Sequence, residues 1–223
     1  MISLHHVGKT FGAGPGRHTA LSDVSFTVDK GEFVVLHGPS GAGKTTLLRL
    51  LYRDEVPSEG DVQVAGIDVP ELRRRRIPQL RRSIGIVFQD AKLLGGRTVF
   101  ENIAFVLRVI GTPRKEITPR AFAALKAVGL SARAQAYPTQ LSQGEAQRAS
   151  LARAIAKSPL LLLADEPTGN LDEEMAGEIL EVIRDIWQQG TTVLLATHQA
   201  ALAASLRRRT LWLREGRLVK DEG

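Results

Sequence analysis

The segment Gly38-Pro-Ser-Gly-Ala-Gly-Lys-Thr45 constrains the fold of this chain most, because it matches the pattern G-x-x-x-x-G-K-S/T at every fixed position. An apolar run at residues 32–37 precedes it and predicts a buried strand, and residues 46–52 follow it with apolar side chains on one helical face. A strand, a glycine loop and a helix in this order cradle phosphate groups, since backbone N–H groups point inward and the helix start carries a partial positive charge. The segment therefore predicts an α/β fold that binds a nucleotide. A plain glycine turn is disfavoured by the flanking strand and helix.

The composition fits one soluble globular domain with a sizeable core, since the chain has 223 residues, 43% of them hydrophobic and 24% charged. No apolar run approaches the length of a membrane span, and the N-terminus lacks the layout of a signal peptide, so we expect neither. There is no cysteine, which excludes disulfides and thiolate metal sites.

The net charge of +6 comes largely from two basic segments, residues 72–82 and 206–209. The favoured interpretation is a solvated helix face. Contact with an anionic membrane surface or an acidic partner stays open. Nucleic-acid binding is not expected, because aromatic residues make up only 5% of the chain and none is interleaved with the arginines.

Hydrophobic periodicity predicts strands and helices along the whole chain. Strands are predicted at residues 2–7, 22–28, 32–37, 61–65, 83–88, 160–164 and 192–196, with a closing hairpin at 210–219. Helices are predicted at residues 46–52, at 70–82 with an interruption at Pro78, and at 98–110, 118–128, 142–157 and 173–189.

The middle of the chain, about residues 90–157, has no strand pattern, and we interpret it as a helical subdomain inserted in a nucleotide-binding core. That core is expected to comprise about residues 1–89 and 158–223. The predicted fold class is α/β, a P-loop NTPase with a mixed or parallel β core and an antiparallel β subdomain, in a single domain.

Two sets of side chains predict binding and hydrolysis of a nucleoside triphosphate. In the loop, Lys44 can reach the β- and γ-phosphates and the Thr45 hydroxyl can ligate Mg²⁺. The apolar run 160–164 ends in Asp165 and Glu166, which are expected to hold Mg²⁺ and to activate or orient the attacking water. The alternative is a structural role, in which Asp165 and Glu166 form an acidic turn that only ends the strand.

Three further polar positions are candidates. Gln89 ends a predicted strand, so its amide can ligate Mg²⁺ or hold the water, and His198 ends another and can donate a hydrogen bond to the γ-phosphate. Ser142 with Glu145 forms a capping box at a helix start, which offers N–H groups to an anion. A plain capped helix is the alternative, but a second anion site suggests one completed by another subunit.

The ordered set Gly38–Thr45, Gln89, Leu141-Ser-Gln-Gly-Glu145, Asp165-Glu166, Asn170-Leu-Asp172 and His198 resembles the ATPase subunit of the ABC (ATP-binding cassette) family over essentially the whole chain. The resemblance implies a head-to-tail homodimer with ATP and Mg²⁺ at its interface. Each ATP would lie between Lys44 of one subunit and Ser142 and Gly144 of the other, with Asp172 tying the two sites together. Phe11 falls where the family stacks an aromatic ring on adenine, although packing in the core is its alternative role.

The residues with expected roles fall into three groups. The catalytic groups are Glu166, His198, Lys44 and Gln89. The magnesium ligands are Thr45, Gln89 and Asp165. The residues that bind ATP are Phe11, Gly38, Pro39, Ser40, Gly41, Ala42, Gly43, Lys44, Thr45, Thr46, Gln89, Ser142, Gly144, Glu145 and Asp172.

The chain departs from the family pattern at two positions. Gln143 stands where the family usually has glycine, and its side chain restricts the backbone and is expected to weaken the contact to ATP across the interface. Activity should survive, because Ser142 and Gly144 remain. Phe11 stands where tyrosine is usual and keeps the ring face.

Residues 72–90, 92–94 and 97–105 resemble the bacterial cell-division branch of the family. That branch implies ATP-driven dimerisation coupled to an integral membrane partner that regulates peptidoglycan hydrolases, with the ATPase held peripherally at the cytoplasmic face of the inner membrane. Gln89 and the helix at 98–110 would receive a cytoplasmic helix of that partner, with internal packing of the helix as the alternative. ATPases of lipoprotein release and macrolide export share much of the pattern and remain the alternative assignment.

Overall fold

The computed structural model describes residues 1–169 and 171–223, and only the backbone of Pro15. Asn170, which belongs to the predicted motif Asn170-Leu-Asp172, lies outside the described residues. The chain divides into two compact units, residues 1–81 with 192–223, and residues 82–191.

The described residues form ten strands and seven α-helices, joined by short 3₁₀ turns. The strands are β1 (Ile2–Phe11), β2 (His18–Val28), β3 (Phe33–His37), β4 (Glu59–Val64), β5 (Ile67–Asp68), β6 (Ile84–Val87), β7 (Leu161–Asp165), β8 (Thr192–Thr197), β9 (Arg209–Arg214) and β10 (Arg217–Glu222). The helices are α1 (Lys44–Leu51), α2 (Ile77–Arg82), α3 (Val99–Val109), α4 (Arg114–Ala127), α5 (Gln143–Ile155), α6 (Glu173–Gln188) and α7 (Ala200–Leu206).

The first unit contains an antiparallel sheet and a mixed sheet. In the antiparallel sheet, β1 pairs with β2 on one side and with β4 on the other, and β5 follows β4. In the mixed sheet, β3 runs parallel to β8 and to β9, and β10 pairs antiparallel with β9. All five residues of β3 are buried, as expected of a central strand.

Arg209 connects several strands of the first unit. Its guanidinium donates to the Asp221 carboxylate at 2.8 and 2.7 Å, to the Glu32 carboxylate at 2.9 Å and to the Thr27 carbonyl oxygen at 3.0 Å. The hydrogen bonds from Arg209, and after them its positive charge, lower the pKa of Asp221. This arginine is therefore a structural group, although it belongs to a basic run in the sequence.

The second unit contains four α-helices and the parallel pair β6 and β7. Helix α5 packs closely on β6, because a Cβ at Gly85 would lie only 3.0 Å from the Ala154 carbonyl oxygen. Helix α3 begins with a capping box between Thr98 and Glu101. The buried amide of Asn102 in that helix accepts from the Leu94 N–H at 2.7 Å and donates to the carbonyl oxygens of Leu94, Arg97 and Thr98 at 3.0–3.2 Å.

The strand and helix predictions are confirmed except at four places. The segment 70–82 is not one interrupted helix, because a 3₁₀ turn at Arg74–Arg76 leads into α2. Pro78 is the second residue of α2, where its missing N–H costs no helical bond. Helix α4 begins at Arg114, before the predicted start at residue 118, with Pro119 inside it, and β5 and α7 were not predicted.

The expected subdomain boundaries near residues 90 and 157 stay a prediction. The compact units divide the chain elsewhere, because β6 and β7 pair with each other and α5 packs on β6. No described helix combines the length and the apolar character that crossing a membrane requires.

We expect the change Asn102→Ala to lower the free energy of unfolding by about 2 kcal/mol, because it removes the side-chain partners of buried and partly buried backbone groups. Urea denaturation followed by circular dichroism measures this change. The control is Thr98→Ala, which removes only a helix cap and should cost about 1 kcal/mol. An Asn102→Ala protein as stable as the wild type would contradict the structural role assigned here.

Candidate nucleotide-binding site

The glycine loop lies between β3 and α1, as the sequence predicts. Gly41 and Gly43 have positive φ angles of 80° and 104°, and Gly43 is the N-cap of α1. A Cβ at Gly38 would overlap the Leu213 carbonyl oxygen, and one at Gly43 would lie 2.5 Å from the Ala20 carbonyl oxygen. Glycine is therefore required by close packing at Gly38, by backbone conformation at Gly41, and by both at Gly43.

The strands around the loop fix its position through backbone hydrogen bonds. Gly38 N–H donates to the Thr197 carbonyl oxygen at the end of β8, at 3.3 Å, and Gly216 N–H in the β9–β10 turn donates to the Ala42 carbonyl oxygen at 3.1 Å. The residues Pro39, Ser40, Gly41 and Thr45 are exposed, whereas Ala42 is buried. The loop thus has one side packed against the unit and one side open to a ligand.

Lys44 is buried, and its ammonium group donates to the carbonyl oxygens of Gly38 at 2.7 Å and Pro39 at 3.1 Å. These bonds hold the charge inside the loop, where phosphate oxygens bind in loops of this type. Thr45 and Thr46 follow in the first turn of α1, with the Thr45 side chain exposed.

Two more predicted site residues lie in the first unit. His198 is exposed and comes directly after Thr197, whose carbonyl oxygen accepts from the loop. Phe11 is half-buried at the end of β1, and the Lys9 ammonium group lies 4.6 Å from the centre of its ring. The structure therefore brings the end of β8 to the loop and places Phe11 at a strand end.

In the second unit, Asp165 ends β7 and is half-buried, while Glu166 is buried with φ of 49°. A Cβ at Gly169 would lie 3.5 Å from the Glu166 Cβ and 3.6 Å from the Gln89 Nε2. Gln89 and Glu166 therefore both border Gly169, and the structure brings these two predicted catalytic groups together.

The predicted capping box at the start of α5 is present. The Ser142 hydroxyl accepts from the Glu145 N–H at 3.2 Å, and the Glu145 carboxylate accepts from the Ser142 N–H at 2.9 Å. The same carboxylate accepts from the Arg133 guanidinium at 2.8 Å. The Ser142 N–H first, and then Arg133, lower the pKa of Glu145. Gln143 is exposed in the first turn with helical backbone, so its position does not require glycine.

Gly144 and Asp172 belong to one packed corner of the second unit. Asp172 is the N-cap of α6 and accepts from the Met175 N–H at 2.8 Å. A Cβ at Gly144 would lie 2.6 Å from the Met175 sulfur. The start of α5 therefore touches the first turn of α6, and Ser142, Gly144, Glu145 and Asp172 are brought together.

Two side chains of α5 that the sequence analysis missed hold the segment around Gln89. The buried amide of Gln147 donates to the Phe88 carbonyl oxygen at 3.0 Å. The Arg153 guanidinium donates to the carbonyl oxygens of Ala91 at 2.9 Å and Lys92 at 2.6 Å, and burial lowers the pKa of Arg153. The only sequence signal was a glutamine and an arginine six residues apart in α5, and ordinary surface helices carry such polar side chains as well.

The predicted metal ligands fit Mg²⁺ by their chemistry. Thr45, Gln89 and Asp165 offer a hydroxyl, an amide and a carboxylate oxygen, the hard oxygen donors that Mg²⁺ prefers. Among the described residues there is no cluster of three histidine or acidic side chains that would suggest a different metal.

Comparison with known proteins agrees with this site. The family model described as "ABC transporter" matches residues 21–169. The dimeric ATP-binding cassette MJ0796 has a TM-score of 0.92 at 34% identity, covering 100% of this chain and 98% of that chain. A dimeric post-hydrolysis state of MJ0796 bound to ADP and Pi has a TM-score of 0.91 at 33% identity, with the same coverage.

Curated relatives match over essentially the full length. The cell division ATP-binding protein FtsE of Mycobacterium tuberculosis is 48% identical over 222 residues, which cover 100% of this chain and 96% of the relative. FtsE of Bacillus subtilis is 42% identical with the same coverage. FtsE of Escherichia coli is 44% identical over 218 residues, covering 98% of this chain and 97% of the relative.

The fold and the site define a P-loop ATPase of the cassette type, and the chain belongs to the ABC transporter family. Within that family it groups with the FtsE cell-division ATP-binding proteins. The predicted fold class, the ATPase class and the cell-division branch are confirmed.

We expect Gln147→Leu to lower kcat for ATP hydrolysis about tenfold with little change in ATP affinity, because it releases the backbone beside Gln89 without touching the glycine loop. Steady-state kinetics and nucleotide titration measure the two effects. Gln189→Leu makes the same change at the exposed end of α6 and should leave both unchanged. Equal kcat in the two variants would remove the positioning role of Gln147.

We expect Arg133→Gln to raise the pKa of Glu145 toward the ordinary value of a glutamate, because a charged partner of the carboxylate is lost. A carboxyl titration by NMR measures this shift. Since the folded-state pKa is lowered, the stabilisation from this carboxylate is complete above the unfolded pKa and is lost as pH falls through the folded pKa. An unchanged Glu145 titration in the variant would show that Arg133 has no electrostatic effect there.

Proposed function

We propose that this chain hydrolyses Mg²⁺-bound ATP as a head-to-tail homodimer and transmits the resulting motion to an integral membrane partner resembling FtsX. The observation that carries this proposal is the glycine loop, with the buried Lys44 ammonium group held inside it and exposed N–H-bearing residues around it.

The loop residues act first in the proposed mechanism. The loop Gly38–Thr46 wraps the phosphates with backbone N–H groups from the residues after Pro39, and Lys44 exchanges its carbonyl acceptors for β- and γ-phosphate oxygens. Phe11 stacks on the adenine, because phenylalanine has the same aromatic face as the tyrosine that is usual at this position. Thr45, Asp165 and Gln89 supply the ligands for Mg²⁺, which when bound neutralises developing charge on the phosphates.

Glu166 and Gln89 carry out the proposed hydrolysis step. Glu166 accepts a proton from the attacking water, or orients that water, and the Gln89 amide, which also borders Gly169, holds the water in place. His198 donates a hydrogen bond to the γ-phosphate. The support for these roles is the proximity of Gln89 and Glu166 and the family of the chain.

Ser142 and Gly144 bind the ATP held by the other subunit in the proposed dimer. The start of α5 supports this role, because Ser142 and Gln143 are exposed there and the helix presents free N–H groups. Asp172 joins the two ATP sites from the adjacent first turn of α6. The dimeric cassettes similar to this chain support the assembly.

Helix α3 offers a surface for the membrane partner. Its inner face is buried through Ile103 and Leu107, whereas Phe105 is 37% and Val109 62% exposed. Core packing therefore accounts for one face only, and the exposed apolar face would receive a cytoplasmic helix of the partner. Through that contact the chain would be held peripherally at the cytoplasmic face of the inner membrane, with peptidoglycan hydrolases as the regulated enzymes. An anionic membrane surface is a second proposed contact.

We expect Glu166→Gln to keep ATP binding, to lose at least about a hundredfold in hydrolysis, and to accumulate as a dimer with ATP, because the proton acceptor is removed. Phosphate release and size-exclusion chromatography with ATP measure these effects. Lys44→Ala should lose ATP retention. The matched control Glu173→Gln changes an exposed acid in the first turn of α6 and should behave like the wild type. Equal hydrolysis by the wild type and Glu166→Gln would favour a nucleotide-dependent scaffold instead.

A further inference from the structure

Four consecutive exposed arginines, Arg73 to Arg76, form a basic cluster in the first unit, which we call the arginine cluster. We propose that it binds the phosphate groups of anionic phospholipids at the membrane surface. The inference rests on the proposed function, since it names the residues by which the ATPase would touch the lipid, and it does not depend on the partner's contact with α3.

The local backbone brings the guanidinium groups to one place. Arg73 is extended, with φ of −60° and ψ of 142°, and Arg74–Arg76 form a 3₁₀ turn that continues into α2. A 3₁₀ turn has three residues per turn, so side chains three apart share a side. Arg73, Arg75 and Arg76 line one cleft of about 310 Å³ together with Glu71. That volume is at the low end of the range for small-ligand sites and accommodates a phosphate group.

The residues that the structure describes form no ion pair with the arginine cluster, although the Glu71 carboxylate lines the same cleft. None of its four side chains makes an ion pair or a side-chain hydrogen bond there. Arg81 in the next turn differs, since it donates to the carbonyl oxygens of Tyr52 at 3.0 Å and Arg53 at 3.1 Å. Neighbouring guanidinium groups repel one another, and a phosphate relieves that repulsion because its oxygens match the fork of donors on arginine.

The chemistry around the cleft favours a lipid phosphate over a nucleic acid. Residues 69–82 contain no aromatic side chain on which a base could stack. A lipid surface needs no such platform, because it presents many phosphates to a compact basic patch, and each arginine near an anionic leaflet raises the partition coefficient about fivefold. The three arginines that line the cleft should together contribute about a hundredfold.

The test is co-sedimentation of the full chain with vesicles of phosphatidylcholine alone or with about one third phosphatidylglycerol, at roughly 0.1 M salt. The variant Arg73→Gln/Arg75→Gln/Arg76→Gln removes the cleft charges. The control Lys30→Gln/Lys115→Gln/Lys126→Gln removes the same formal charge from exposed lysines elsewhere. ATP hydrolysis of all three proteins is measured in parallel.

We expect selective binding of the wild type to the phosphatidylglycerol vesicles, a loss of about a hundredfold in the arginine variant, and less than about fivefold in the control. Three outcomes would each overturn the proposal: no preference for anionic vesicles, equal losses in both variants, or tighter binding to a single-stranded oligonucleotide at the same salt. Displacement by inorganic phosphate, but not by sodium chloride of equal ionic strength, would assign the cleft to soluble phosphate and also overturn it. Failure of ATP hydrolysis in the wild type would instead contradict the proposed function and leave the vesicle comparison interpretable.

Discussion

The glycine loop depends on backbone segments that lie closer together than any side chain would allow. Gly38 lies against the Leu213 carbonyl group in β9, and Gly43 lies against the Ala20 carbonyl group in β2. Through these close contacts, β2 and β9 pack against one side of the loop, and the other side stays open to a ligand. Lys44 is buried within the loop, with its charge already placed among carbonyl oxygens. A phosphate can then replace weak neutral acceptors with strong charged ones and does not need to reorganise the loop.

In the second unit, helix α5 positions the predicted site residues, as the packed strands position the glycine loop in the first unit. Its exposed start carries Ser142 and Glu145 in a reciprocal cap, while Gln147 and Arg153 hold the backbone that follows β6. One element therefore positions both the segment that we propose faces another subunit and the segment that carries Gln89. Partial burial of the Arg153 guanidinium is costly unless its donors are used, and the hydrogen bonds to Ala91 and Lys92 use them.

The sequence was sufficient for the features that have strong local signals. The glycine loop, the apolar strand ending in Asp165, and the capping box at Ser142 each follow from residue types at fixed spacing, and they appear where predicted. The role of Gln147 was not predictable, because an amide on a helix gives no sign of a carbonyl partner far away in the chain. The start of α4 was missed because Pro119 resembles a first-turn proline, whereas α4 contains it after a preceding turn. The difference between Arg209 and the arginine cluster also depends on tertiary contacts, since both occur in similar basic runs.

The packing of Gly144 against Met175 makes these two positions one shared volume. A methyl group at residue 144 would have to displace the thioether, and a shorter side chain at residue 175 would create the room that such a methyl group needs. Substitutions at the two sites should therefore be non-additive, with each tolerated better in the presence of the other. The size of the residue at the start of α6 thus sets which side chains the start of α5 can accept.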